Sequence, residues 1–249
     1  MRIAVVTPTY NEAENLPRLV SALFMLPLDL RILVVDDASP DGTGDLAEEL
    51  SARHPGRMHV LHRQGKLGLR SAYLEGFHLA LGDDVDAIAQ MDADLSHDPS
   101  ALPIMAERIQ TCDLVLGSRY VPGGQVDERW PLWRKGLSAW GNFYARTILG
   151  LPLHDVTTGY RLWRVDTLRA MPLQRIRASG YIFLVEMAYL AHCLEYRFAE
   201  VPIYFSERRN GKSKMSLQIQ VEAALHVWQV LWAYRDLKRQ GRAARLADQ

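Results

Sequence analysis

Ala87-Ile88-Ala89-Gln90-Met91-Asp92-Ala93-Asp94-Leu95-Ser96-His97-Asp98-Pro99 is the stretch that decides the fold. Its apolar start belongs to a run, residues 86–91, with the length and composition of a buried strand. Pro99 suits the first turn of a helix, and Asp98 can cap that turn. The stretch therefore reads as one β-α unit with two carboxylates in its loop. Residues two apart in a strand point the same way, so Asp92 and Asp94 can converge on a point beyond the strand's carboxyl end. Convergent carboxylates repel one another unless something positive lies between them. A hard divalent cation, Mg²⁺ or Mn²⁺, bridged to a ligand's phosphates would supply that charge. An acidic turn that only caps the following helix is the other reading of the same residues.

Similar apolar runs flank this one, at residues 2–7, 30–35, 58–62 and 113–117. Counting the run at 86, their starts are separated by 28, 28, 28 and 27 residues. Helical patterns fill the gaps at 13–25, 43–52, 68–81 and 100–110. That rhythm predicts β-α units feeding a mostly parallel sheet, and near-continuous Val/Ile/Leu runs predict strands covered on both faces. Ligands of such sheets bind outside the carboxyl ends of the strands. Four loops fall there, Thr7-Pro8-Thr9-Tyr10-Asn11-Glu12, Asp36-Asp37-Ala38-Ser39-Pro40-Asp41-Gly42-Thr43, the aspartate pair, and Gly117-Ser118-Arg119-Tyr120. All are polar or charged, and their convergence favours a ligand site over a simple cap. Gly65-Lys66-Leu67-Gly68 opens the helix after the third strand, where backbone amides and Lys66 favour an anion.

The 249 residues, 48% hydrophobic and 23% charged, suffice for one large α/β domain or two small ones. Net charge is zero but unevenly spread. Residues 1–100 carry 8 Lys/Arg against 16 Asp/Glu, and residues 207–249 carry 9 against 4. An acidic front half suits a metal, and a basic rear suits phosphates or an anionic membrane surface. Cys112 and Cys193 have no metal-ligand spacing and read as core residues of a reducing compartment. No leader pattern precedes the first strand, and no run approaches the ~20 apolar residues of a spanning helix. The expectation is a protein peripheral to a membrane rather than integral to it.

Beyond residue 120 the pattern changes. After Val121-Pro122-Gly123-Gly124 comes Arg129-Trp130-Pro131-Leu132-Trp133-Arg134-Lys135, leading into a helix through about residue 149. Trp133, Leu137, Trp140, Tyr144 and Ile148 recur on it at helical spacing, which fits either an interfacial membrane helix or core packing. Asp155-Val156-Thr157-Thr158-Gly159-Tyr160-Arg161 forms a second motif block before a short strand at 162–165. Glu186 stands alone in the apolar segment 181–194, so it needs a partner or faces a site. A strand-like run at 198–205 ends in Glu207-Arg208-Arg209-Asn210-Gly211-Lys212-Ser213-Lys214, with four cations in the seven residues from Arg208. That loop is either a solvated turn or a lid that closes on phosphates. The final helix, about 215–237, is apolar around most of its circumference and must lie against the domain, a bilayer or a partner helix. Residues 1–214 are thus the expected catalytic domain, with a nucleotide half (1–120) and an acceptor half (121–214). Residues 215–249 would be a C-terminal helix and basic tail.

Taken in order, Pro8-Thr9-Tyr10-Asn11-Glu12, the Asp36–Thr43 loop, Met91-Asp92-Ala93-Asp94-Leu95-Ser96-His97 and Gly117-Ser118-Arg119-Tyr120 resemble the inverting glycosyltransferases with a GT-A fold. More closely, the chain is similar to the dolichol-phosphate (polyprenol-phosphate) mannosyltransferases, from residue 3 to about residue 216. The resemblance implies mannose transfer from GDP-mannose to a polyprenyl phosphate with Mg²⁺ or Mn²⁺. It implies that Pro8, Tyr10, Glu12, Val35 and Asp37 hold the nucleotide; Lys66, read above as favouring an anion, is expected beside them. Asp92, Ala93 and Asp94 would lie at the pyrophosphate and metal, and Ser96, where some relatives carry Gln, near the ion. Arg119 and Arg134 would meet the phosphates of donor and acceptor, while Arg208 and Lys214 would close over the donor. Many relatives append transmembrane helices that this chain does not show. Attachment to the cytoplasmic face through an interfacial helix or a small membrane subunit follows as an expectation, with no nucleic-acid partner.

No Ser/His/Asp or Cys/His nucleophile set is apparent in the sequence. A polyprenyl phosphate is already anionic and nucleophilic, so the implied chemistry is a single displacement. Its catalytic groups would be Asp92, Asp94, Arg119 and Arg208. A UDP-glucose transferase acting on the same lipid, and a nucleotide-sugar-binding subunit without turnover, are the alternatives.

Overall fold

The computed structural model describes residues 1–207 and 217–238. Strands β1 (Arg2–Thr9), β2 (Asp29–Asp36), β3 (Met58–His62), β4 (Ala87–Gln90) and β5 (Leu114–Ser118) are the five runs of the 28-residue rhythm. Helices α1 (Leu16–Phe24), α2 (Thr43–Arg53), α3 (Leu69–Ala80) and α4 (Leu102–Arg108) connect them. A 3₁₀ turn, Pro99–Ala101, precedes α4, and the Asp98 carboxylate caps it by accepting from the Ser100 N–H at 2.9 Å. The second half adds β6 (Gln125–Val126), α5 (Leu132–Leu149), β7 (Arg161–Arg164), α6 (Val165–Ala170), α7 (Gly180–Cys193), β8 (Phe198–Pro202), β9 (Tyr204–Phe205) and α8 (Leu217–Ala233).

The main sheet has the order β3-β2-β1-β4-β7-β5-β8. Its strands are parallel except β7, which runs antiparallel to both β4 and β5. The first two crossovers step from β1 outward to β3, and the third returns to the far side of β1. The chain thus changes direction between β1 and β4, where open α/β sheets bind ligands. The run expected at 198–205 is not one strand. Pro202 has no N–H to extend the ladder, and Tyr204–Phe205 turns away to pair with β6.

Side chains of β1 alternate between two cores, as a pleated strand requires. Ala4 and Val6 face the layer of α3, α5, α7 and α8, while Ile3 and Val5 face α1, α2 and α4. Gly76 lets α3 seat closely on β1: a Cβ there would stand 2.4 Å from Val6 Cγ1. Cys112 and Cys193 are buried free thiols. Glu186 has found its partners. Its Oε2 accepts from the N–H groups of Arg177 (3.0 Å) and Ala178 (2.7 Å), and its Oε1 from the Tyr234 hydroxyl (2.9 Å). With Val227 and Val230 buried in the same core, this contact fastens α8 to the domain. Among the described residues, no helix is long and apolar enough to cross a membrane.

Candidate active site

Because β1, β2, β3, β4 and β5 run the same way, the loops that follow them emerge at one edge of the sheet. Hydrogen bonds tie the first two together: Asn11 N–H to Ser39 Oγ (3.1 Å), Glu12 N–H to Thr43 Oγ1 (2.9 Å) and Ala13 N–H to Asp41 Oδ2 (3.2 Å). Asn11, Ala38 and Leu95, one in each of the loops after β1, β2 and β4, adopt positive φ (62°, 54° and 60°). For residues with a Cβ this costs about 1–3 kcal/mol each, and such strain collects where a loop must hold a functional shape.

Among the loops expected to hold a nucleotide, the Lys66 ammonium lies 3.6 Å from the centre of the Tyr10 ring, a cation stacked on an aromatic plate. Asp37 is held on both oxygens. Oδ1 pairs with the buried guanidinium of Arg63, and Oδ2 accepts the Gly68 N–H at 3.1 Å. Asp36 is likewise engaged with Thr9 and Ser39. Val35 is fully buried, with its Cγ2 facing Gly76 of α3, so its side chain belongs to the core and only its backbone can meet a ligand. Pro8 and Glu12 stand at the same edge, and Glu12 Oε2 accepts from Asn15 Nδ2 at 2.8 Å.

The acidic pair follows β4. Asp94 is buried, and its Oδ1 accepts from both the N–H (3.0 Å) and the hydroxyl (2.6 Å) of Ser96. Ser96, expected beside an ion, thus orients the carboxylate of Asp94. Asp92 is partly exposed, and its Oδ1 accepts from the Tyr73 hydroxyl at 2.9 Å. Burial, and then the charges of Asp92 and Asp94, push the Tyr73 phenol well above its ordinary value, so it stays a donor. Ala93 between them is buried. No cation among the described residues pairs with Asp92. An all-oxygen pair of this kind fits a hard divalent ion. Among the described residues no three acidic or histidine side chains form a cage of their own. The pair could therefore hold an ion together with a ligand's phosphate oxygens and water.

Phe205 joins this loop to the two arginines. The His97 ring lies edge-on to it at 5.5 Å, and His97 Nδ1 accepts the Asp92 N–H at 3.2 Å. Arg119 lies 5.1 Å from its centre, and Trp130 meets it edge-on at 5.7 Å. Arg134 stacks on Trp130 at 3.7 Å and pairs with Glu207 at 3.4 Å. Arg208 and Lys214 lie outside the described residues.

Arg119 is anchored more firmly than its expected role as a phosphate ligand implied. Its Nε and Nη2 bind the two oxygens of buried Asp155 at 2.6 and 2.7 Å, and Nη2 also meets Thr157 Oγ1 at 2.8 Å. Burial pushes the Asp155 carboxyl up, but the Arg119 guanidinium outweighs it and holds the group below the usual carboxylate range. Among the described residues, Nη1 is the one guanidinium nitrogen of Arg119 for which these bonds leave both hydrogens over. Asn142 of α5 fixes the loop behind, accepting from Val156 N–H (2.9 Å) and donating to Thr157 Oγ1 (3.0 Å). Arg161, fully buried at the start of β7, donates to the carbonyls of Thr158 and Val156 at 3.0 Å each. Burial lowers its pKa to about 9, which leaves it cationic at neutral pH.

The second motif block therefore supports the site: Asp155 and Thr157 hold Arg119, and Gly159 makes room for Asp92. A Cβ on Gly159 would lie 3.2 Å from His97 Cε1 and 3.4 Å from Asp92 Oδ2. Sequence reasoning singled out the block without assigning roles in it. It quoted His97 in the motif without giving it a role, and it passed over Tyr73, whose spacing from the aspartates carries no signal.

Beside the site, α5 and α8 expose a joined aromatic surface. Trp140 stacks on Tyr144 at 5.2 Å, and Tyr144 Oη accepts from Trp228 Nε1 at 3.1 Å. Trp140 is 54% exposed, Trp228 44% and Trp232 63%, with Leu132, Trp133, Phe143 and Leu225 also exposed. Core packing thus accounts for only part of the helical stripe on α5.

The chain matches the family described as Glycosyl transferase family 2 over residues 4–171. It is 48% identical over 227 residues to an undecaprenyl-phosphate mannosyltransferase of Micrococcus luteus, covering 91% of this chain and 93% of that one. A polyprenol monophosphomannose synthase of Mycolicibacterium smegmatis is 45% identical over 216 residues, 86% of this chain and 81% of the relative. The dolichol-phosphate mannosyltransferase of Pyrococcus furiosus is 36% identical over 93% of this chain and 64% of its own length. Among solved structures, Mycobacterium tuberculosis glucosyl-3-phosphoglycerate synthase in complex with Mn²⁺, UDP-glucose and phosphoglyceric acid superposes with a TM-score of 0.64 at 18% identity. That match covers 94% of this chain and 79% of that one, and it shows a shared GT-A-like fold. With its sheet order, its acidic loop after β4 and a match across most of its length, the chain belongs to glycosyl transferase family 2.

Proposed function

We propose that this chain transfers mannose from GDP-mannose to a polyprenyl phosphate, with inversion and with Mg²⁺ or Mn²⁺, on the cytoplasmic face of a membrane. The observation that carries the reading is the convergence on Phe205, where the acidic loop, Arg119 and the Trp130–Arg134 pair meet beside an exposed aromatic surface. One region thereby offers carboxylates for a metal–diphosphate, cations for two anions, and an apolar face for a lipid. The names of the relatives point to the same acceptor and sugar.

In the proposed step, an oxygen of the acceptor phosphate attacks the anomeric carbon and forms the new C–O bond. The bond from that carbon to the β-phosphate oxygen breaks, and its electron pair leaves on GDP. When bound, the divalent ion neutralises charge building on that leaving group. Tyr10 and Lys66, with Pro8, Glu12 and the backbone at Val35 and Asp37, hold the nucleotide. Asp92 and Asp94 hold the metal end, and Ser96 keeps Asp94 in its orientation. Arg119 presents Nη1 to phosphate oxygen, and Arg134 exchanges Glu207 for the acceptor phosphate. The family resemblance gives Arg208 and Lys214, outside the described residues, the role of closing over the donor. Fixing two repelling anions in line is the main catalytic contribution. Trp140, Trp228 and Trp232 seat in the headgroup region, where amphipathic aromatic rings are favoured.

The test is to incubate the protein with labelled GDP-mannose or labelled UDP-glucose, Mg²⁺ and polyprenyl phosphate in vesicles, and then to extract the lipid. Mannose in the lipid phase with inverted configuration is the expected result. Glucose from UDP-glucose instead, transfer from neither donor, or a retained configuration would overturn it.

A further inference from the structure

We infer that Tyr73 is a positioning residue: its hydroxyl sets the rotation of the Asp92 carboxylate so that Oδ2 is the oxygen offered to the metal. The inference rests on the metal reading above.

Tyr73 is completely buried, and its ring stacks against Phe77 (5.7 Å) and Phe183 (6.2 Å). A phenylalanine would pack there equally well, so the hydroxyl is what requires explanation. Its partner is Asp92 Oδ1, at 2.9 Å. Asp92 Oδ2 has no hydrogen bond among the described residues, and the space left by the missing side chain of Gly159 borders both oxygens, 3.4 Å from Oδ2 and 3.5 Å from Oδ1, so the Tyr73 hydrogen bond is what tells them apart. A carboxylate rotates freely about its terminal torsion. Pinning one oxygen with a hydroxyl donor fixes the direction of the other.

The reach of Tyr73 follows from how α3 packs. Gly76 lies three residues further along the same face of the helix and lets it sit against Val6. The amino end of α3 touches the nucleotide loop as well, through Gly68 N–H to Asp37 Oδ2 and Arg63 Nη2 to Ser71 Oγ (2.6 Å). One helix therefore contacts both the loop assigned to the nucleotide and the loop assigned to the metal.

Mn²⁺ binding, read from the paramagnetic resonance of the free ion, is titrated with GDP present and in a parallel arm with UDP. The proteins are wild type, Tyr73→Phe, Asp92→Asn, the double variant, Asp94→Ala and a packing control, Phe183→Leu. Partners that orient a metal ligand are worth about 10–100-fold in affinity, so Tyr73→Phe should weaken Mn²⁺ binding by about that factor. Its nucleotide binding in EDTA should be unchanged, and excess Mn²⁺ should restore turnover. In the Asp92→Asn background the same change should add nothing, because its effect runs through that carboxylate. Wild-type Mn²⁺ affinity in Tyr73→Phe, full additivity in the double variant, or equal weakening by Phe183→Leu overturns the positioning role while the metal site stands. If Asp94→Ala binds Mn²⁺ as wild type does, the metal reading fails and this inference falls with it.

Discussion

Arg119 and Asp155 meet edge to edge below the surface of the site, Nε to Oδ2 at 2.6 Å and Nη2 to Oδ1 at 2.7 Å. Both side chains are buried, and the Arg119 backbone N–H also donates to Asp155 Oδ2 at 3.1 Å. The arginine is thus held in place by the chain itself, with Nη1 directed away from the pair.

Asp155→Asn should leave the Arg119 charge buried without a counter-ion, a change that costs about 3–5 kcal/mol in comparable pairs. Urea denaturation measures the loss, and a loss no larger than that of a surface substitution would contradict the pairing. The pH dependence has a definite sign. The Asp155 carboxyl is depressed in the folded state, so its contribution is fully present above the unfolded value of about 3.9. That contribution disappears as pH falls through the lower folded value. Wild type should lose stability on acidification below about pH 4, and Asp155→Asn should show a shallower acid limb.

Asp94→Ala should lower metal-dependent transfer by at least about 10²–10³, the scale of a lost electrostatic contact in a preorganised site. The buried Ser96 N–H and hydroxyl lose their acceptor, at a cost of about 1–3 kcal/mol. Circular dichroism should show the fold retained. Near wild-type turnover would remove Asp94 from the site.

Gly76→Ala introduces a Cβ 2.4 Å from Val6 Cγ1, so α3 or β1 must shift. Overpacking of this kind costs about 1–3 kcal/mol. Equilibrium unfolding gives that number directly. Because Tyr73 rides on the same helix, Mn²⁺ affinity should fall as well.

Gly159→Ala is a different test, because Gly159 is not among the positive-φ residues and the added methyl meets only crowding. Contacts at 3.2 Å to His97 and 3.4 Å to Asp92 push on the loop that carries the proposed metal ligands. Transfer should fall at low Mn²⁺ and recover at high Mn²⁺, with little change in thermal midpoint. A loss that no Mn²⁺ concentration reverses would point to a broader disturbance.

Trp140→Ser and Trp228→Ser should each weaken co-sedimentation with anionic phospholipid vesicles by about tenfold, from the burial of part of one large aromatic side chain. Transfer to a short-chain, water-soluble polyprenyl phosphate should be unaffected. Unchanged vesicle binding in the double variant would place the membrane contact elsewhere.

Much of this molecule is legible in one dimension. Apolar runs at a 28-residue spacing specify strands and helices because burial on both faces and chain connectivity are local constraints. They also place Tyr10, Asp37, Asp92 and Arg119 at one edge, since parallel strands share their carboxyl ends. Lateral pairing is not local. The antiparallel entry of β7 between β4 and β5 depends on which strand edges remain open once the chain has collapsed.

The aspartate pair, its loop and the family signature were determined by the sequence alone. Tertiary structure decided what each charged group touches. Asp37 is occupied by Arg63, Arg119 by Asp155, Asp92 by Tyr73, and Glu186 by Tyr234 and two backbone amides. Buried charges and hydroxyls take whatever partner the packing brings within about 3 Å, the range of a hydrogen bond. That choice is made by how closely helices such as α3 approach the sheet, and no spacing along the chain encodes it.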